Sequence, residues 1–89
     1  MSDHSSNDSA QRVTEVLKEI ATALVDQPEK LRLEIEDVHD ETVLRLFVAE
    51  DDLGKVIGKQ GRTARSLRTI LGAIGSKAGH RYSLDVKSE

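Results

Sequence analysis

The 89 residues contain no cysteine, no tryptophan, one proline, and only two aromatic residues, Phe47 and Tyr82. Without cysteine there is no disulfide framework and no thiolate metal site, which fits a reducing cytoplasm. The opening stretch MSDHSSNDSA has no apolar run and so does not read as a secretory signal. The longest unbroken apolar run is far short of a membrane span. These absences point to a soluble cytoplasmic domain. The length allows one domain at most, with a modest core in which every apolar stripe is needed.

Charge is present in quantity and unevenly placed. The net charge is −3, but residues 1–53 carry 5 Lys/Arg against 14 Asp/Glu, and residues 54–89 carry 8 against 2. Such one-sidedness says more about partners than the sum does. The plain explanation of a cationic helix is a solvated face. The glycines in the same stretch favour a binding surface.

Residues 1–8 are polar and aperiodic and read as a disordered tail. Ser9 is placed to cap a helix, after which Val13, Val16, Leu17, Ile20 and Leu24 recur at helical spacing. Residues 26–28 end that helix at the single proline. Leu31, Leu33 and Ile35 then alternate with Arg32, Glu34 and Glu36, the pattern of a strand buried on one face. DVHDE is a polar turn, and TVLRLFVA, residues 42–49, is dense enough in apolar residues for a central strand covered on much of both faces.

Residues 51–57 predict a short helix stopping at Gly58, with Asp51 and Asp52 as capping residues. A longer helix starts near Arg62, with Ala64, Leu67, Leu71, Ile74 and Ala78 on its buried face. Arg62, Arg65 and Thr69 project from the opposite face, with Arg68 at the flank. Gly72 and Gly75 weaken that helix or allow close packing, and Gly79 is its C-terminal cap. HRYSLDVK, residues 80–87, alternates as a last strand with Tyr82, Leu84 and Val86 inward. The order is α-β-β-α-α-β. The helical crossover makes the last strand parallel to the central one, so the three-stranded sheet is mixed, with helices on one face.

KVIGKQGRTARSLRTI, residues 55–70, gathers five cations within fourteen residues: Lys55, Lys59, Arg62, Arg65 and Arg68. Gly58 and Gly61 bracket a turn that opens on a helix N-terminus, where free N–H groups and the positive dipole end suit phosphate. Nucleotide loops fit poorly. Gly54 lies four residues before Gly58, one too few for a P-loop, and Gln60 stands where Ser or Thr would hold magnesium; G-x-G-x-x-G is absent. His4, His39 and His80 have no metal-binding spacing, so neither a metal nor a cofactor is expected. No constellation looks catalytic. With so few aromatics, base stacking on the sheet is poorly supported.

VIGKQG followed by a basic helix resembles the KH domain, whose signature is I-G-x-x-G between two helices. The element order matches its type II, α+β form. ALVDQPE before the first strand and GKVIGKQGRTARSLRTIL later are most similar to the small single-KH RNA-binding family of bacteria called KhpA. The likeness covers about residues 10–87, and a domain over 9–87 is expected. It implies that about four nucleotides of single-stranded RNA cross the loop. Gly58, Lys59, Gln60 and Gly61 would then meet the backbone. Val56, Ile57 and Leu67 would floor the groove. Lys55, Arg62 and Arg65 would add charge, and residues near Arg81 and Ser83 would reach base edges. The same resemblance implies post-transcriptional regulation or RNA chaperoning linked to cell elongation or division. It also implies a homodimer and a heterodimer with a larger KH protein of the KhpB (Jag/EloR) type. Ile70, at the edge of the buried stripe, is the candidate dimer contact. The competing reading is an adaptor that dimerises through the KH fold with little RNA binding.

Overall fold

The computed structural model describes the backbone of residues 3–89 and the side chains of residues 10–89. Helix α1 spans Asp3–Leu24, so it begins ahead of Ser9, the expected cap. No glycine or proline precedes Pro28 to stop the helix from extending backwards. Of the expected tail, residues 1–2 lie outside the described residues.

Strands β1 (Arg32–Val38) and β2 (Glu41–Val48) form the antiparallel hairpin, turning at residues 39–40 alone. A 3-10 turn over Glu50–Asp52 leads into α2 (Leu53–Ile57). Helix α3 (Arg62–Ala78) and strand β3 (Arg81–Ser88) follow. The sheet order is β1-β2-β3, with β3 parallel to β2, as the crossover requires.

The core lies between one sheet face and the helices. Val13, Leu17, Ala21 and Val25 enter it from α1 and the turn after it, one helical turn apart. They meet Leu44, Leu46 and Val48 of β2, Val56 of α2, Leu67 and Leu71 of α3, and Tyr82 and Leu84 of β3. Burying each such aliphatic side chain stabilises the fold by about 1.5–3 kcal/mol.

The α1 stripe is thus rotated from expectation: Ala21 and Val25 are inside, and Val16 is exposed. Strand β2 is also not covered on both faces. Thr42, Leu44, Leu46 and Val48 are buried, while Val43, Arg45 and Phe47 on the other face stay partly open. The sequence is apolar on both sides of β2, but helices cover only one. Near β1 the cover runs out, and Ile35, expected inward, is 48% exposed.

Where α3 meets β3, Gly75 takes the buried place expected of Ala78. A Cβ there would collide with the carbonyl oxygen of His80, so the glycine allows the helix end and the strand start to touch. Gly79 caps α3 at φ 67°, ψ 35°, the left-handed conformation glycine adopts at low cost.

His80 is partly buried. Its Nε2 lies 2.7 Å from the buried Thr42 Oγ1, which donates to Asp37 Oδ1 at 2.7 Å. The hydroxyl has one proton, directed to the carboxylate, so the histidine Nε2–H must be the donor to Thr42.

Candidate nucleic-acid interface

Five residues suffice for α2 because Val56, fully buried, anchors it to the core. The chain leaves it through Gly58 at φ 82°, ψ 168°, a conformation essentially reserved for glycine. One 3-10 turn, Lys59–Gly61, follows, closed by the Gly61 N–H on the Gly58 carbonyl at 3.0 Å. Gln60 (φ 56°) and Gly61 (φ 72°) are both left-handed. For a glutamine that conformation costs about 1–2 kcal/mol, and its effect is to turn Lys59 and Gln60 outward as an exposed tip.

Arg62 opens α3 and donates from Nη2 to Gln60 Oε1 at 3.1 Å. The amide oxygen is thereby engaged, leaving the Gln60 NH2 as an outward donor. No side chain caps α3, whose N-cap is Gly61. The Gly61 and Arg62 N–H groups bond the Gly58 and Lys59 carbonyls, and the positive dipole end of α3 lies beside the tip.

Charge is arranged in two ways. On the open sheet face, Arg32, Arg45 and Lys87 are neutralised, while among the described residues Arg81 at its end is not. Arg32 pairs with Glu34 and Glu89 and stacks on Phe47 at 4.2 Å; Arg45 pairs with Glu36 at 2.7 Å, and Lys87 with Asp85 at 3.7 Å. Around the loop the cations are not. Among the described residues Lys59, Arg62, Arg65 and Arg68 have no ion pair, and residues 53–84 contain seven cations and no Asp or Glu.

Not every expected contact residue joins this group. Lys55 lies 3.3 Å from Asp26 Oδ2 and 3.4 Å from Asp52 Oδ1. Those carboxylates, Asp26 above all, hold its pKa above the ordinary lysine value. Asp52 does not cap its own helix. Buried, it accepts the N–H groups of Asp26 at 3.1 Å and Gln27 at 2.9 Å, fastening the turn after α1. Its pKa is lowered by the Asp26 N–H first; burial opposes, and Gln27 and Lys55 add to the lowering.

Val56 and Leu67, expected as groove floor, are core residues; of the apolar trio only Ile57 keeps partial exposure. Arg81 stands beyond the far end of α3, about 25 Å from the loop along 17 residues at 1.5 Å each. It also points to the open sheet face, opposite to its neighbour Tyr82. Arg68, expected only as a flank, donates from Nε to the Leu84 carbonyl at 3.2 Å.

A second surface has a different character. Val16 and Ile70, each 51% exposed, edge an apolar groove between α1 and α3, floored by Leu17, Leu67 and Leu71. The sequence signal for it is an apolar residue at the flank of each helix stripe. No described helix is long and apolar enough to cross a membrane.

A family model described as KhpA/KhpB, KH domain, matches residues 14–86. The RNA-binding protein KhpA of Aquifex aeolicus is 46% identical over 72 residues, 81% of this chain and 91% of that protein. KhpA of Bacillus subtilis is 38% identical over 76 residues, 85% and 94% of the two. Among solved structures, Aquifex aeolicus Era bound to GDP·AlF4− superposes with a TM-score of 0.59 at 19% identity, over 86% of this chain and 30% of that one. Era in complex with MgGDPNP and nucleotides 1506–1542 of 16S ribosomal RNA gives 0.55 at 17% identity, over 85% and 29%. At these identities the two structures speak for the fold alone.

Proposed function

The chain belongs to the KhpA/KhpB family of KH domains, and on that premise we propose that it binds single-stranded RNA, gripping the sugar-phosphate backbone at the GKQG loop. Relatives that it matches over most of their length are named RNA-binding proteins. The observation that carries the reading is the contrast in charge pairing. Arg32, Arg45 and Lys87 of the sheet face are neutralised, whereas Lys59, Arg62 and Arg65 are left to meet an anion.

In this reading Gly58 and Gly61 let the RNA backbone approach, Lys59 contacts phosphate, and the Gln60 NH2 donates to it. Arg62 and Arg65 form the rim. Ile57 offers apolar contact to a base, with Val56 and Leu67 as rigid backing. Lys55 and Arg81 act elsewhere: Lys55 braces the turn after α1. No catalytic role is assigned. The resemblance alone carries a cytoplasmic role as post-transcriptional regulator or RNA chaperone, the link to cell elongation or division, and pairing with a KhpB-type protein. The second reading, an adaptor that dimerises, is favoured by the apolar groove around Val16 and Ile70.

Replacing Lys59 and Gln60 together by aspartate separates the two readings. Both residues are exposed, so folding should change by no more than about 0.5 kcal/mol. RNA binding should be lost, since two anions would face phosphate. Any residual binding should show a log-affinity against log-salt slope flatter by about 0.7, one phosphate contact fewer. Fluorescence anisotropy with a short unstructured RNA measures both. Wild-type affinity and slope in a folded double variant would put the adaptor reading in first place.

A further inference from the structure

The sheet has two outer strands, and their edges differ. At β3 the Arg81 N–H bonds Asp40 and the Glu89 N–H bonds Val48, which turns the odd-numbered residues towards β2 and the Leu84 carbonyl outward. Arg68 covers that carbonyl. At β1 nothing comparable exists. Among the described residues no backbone group of residues 33–38 bonds to anything beyond the ladder with β2. Ile35 and Val38 there are 48% and 43% exposed. Unpaired strand edges beside uncovered apolar side chains are templates for strand addition.

Charge selects the occupant. Residues 32–41 carry five carboxylates against one cation, Arg32. Glu34 and Glu36 are each about half exposed despite their arginine partners, so they remain open to a second cation. In the register centred on Ile35 a second copy is a poor fit. Two β1 strands paired about Ile35 would set Glu34 of one directly opposite Glu36 of the other, and opposed like charges destabilise a ladder. We propose that the β1 edge takes, by strand addition, a basic extended segment of another protein. Its alternate residues would be apolar beside Leu33 and Ile35, and basic beside Glu34 and Glu36. The surface is separate from the GKQG loop, so peptide and RNA can be held together.

The test uses the full chain and a labelled heptapeptide with lysine or arginine at odd positions and valine at even ones. A control peptide carries glutamate in place of the cations. Saturable amide shifts and slowed hydrogen exchange confined to residues 33–38 are expected with the basic peptide, weakened by salt and absent with the control. Glu34→Lys with Glu36→Lys should fold, keep its affinity for short RNA, and bind the peptide at least tenfold more weakly. No saturable shift, shifts centred on the α1–α3 groove or the GKQG loop, or unchanged binding by the charge-reversed variant would each overturn the proposal. The RNA measurement is independent of these outcomes, so the loop reading stands or falls separately.

Discussion

Thr63 closes on Gly58 so tightly that a Cβ on the glycine would stand 2.8 Å from both the Cβ and the backbone nitrogen of the threonine. Rotating the threonine side chain cannot relieve a contact with its backbone. Gly61, the other glycine of the loop, has open space where its Cβ would go and carries only a positive φ. Gly58→Ala is therefore expected to cost about 2–4 kcal/mol, from a glycine-only conformation plus the clash. Gly61→Ala should cost about 1–2 kcal/mol. In thermal unfolding the first should fall by roughly 10–20 °C and the second by about half as much or less. Equal losses would mean that the loop is not held against α3 as described.

Gly72 and Gly75 lie on one helix but should respond with opposite sign. A Cβ at Gly72 meets nothing within 4 Å, whereas at Gly75 it collides with the His80 carbonyl and comes within 3.3 Å of Tyr82 Cδ2. Gly72→Ala should stabilise by about 0.5–1 kcal/mol through helix propensity. Gly75→Ala should destabilise by about 1–3 kcal/mol through overpacking. Urea midpoints of the two variants decide the matter, and a stabilising Gly75→Ala would contradict the close approach of α3 to β3.

Asp52 should give stability a pH dependence of known sign. Its folded pKa lies below the ordinary aspartate value of 3.8. The carboxylate's contribution is therefore complete above that value and is lost as pH falls through the lower folded value. Asp52→Asn keeps the shape but not the charge. The variant should be less stable than the wild type near neutrality, and the gap should narrow below about pH 4. Denaturation curves for the pair from neutral to acid test this; a gap independent of pH would show that the charge is not what fastens the turn after α1.

Ile70→Asp probes the apolar groove. At 51% exposure the side chain is not part of the core, so the helix should fold with a change within about 0.5 kcal/mol. If the groove is a self-association surface, the wild type sediments as a dimer and the variant as a monomer, with the same circular dichroism. An unfolded variant would place Ile70 in the core, and an oligomeric state equal in both proteins would remove it from the interface.

Short-range pattern was enough for much of this protein. The apolar period of 3.6 in α1 and α3, the alternation in β3, and the crossover between β2 and β3 led to the mixed sheet, because backbone geometry and handedness are local constraints. The GKQG turn was legible for the same reason: glycine spacing dictates where positive φ is affordable. Other features depended on contacts between distant segments, which no local period encodes. Asp52 looks like a helix cap until the backbone of Asp26 and Gln27 is brought to its oxygens. Lys55 belongs to the cationic run in sequence and to Asp26 in space. Val56 and Leu67 share the loop's neighbourhood but are buried; Arg81 is far from the loop because a helix of 17 residues lies between them, and strand alternation sets it on the face opposite Tyr82. Ile35 alternates like a buried residue and is left half open because on β1 the core reaches Leu33 and not Ile35. Local sequence set which elements form; packing of three helices on a three-stranded sheet decided which of their charges remained unpaired.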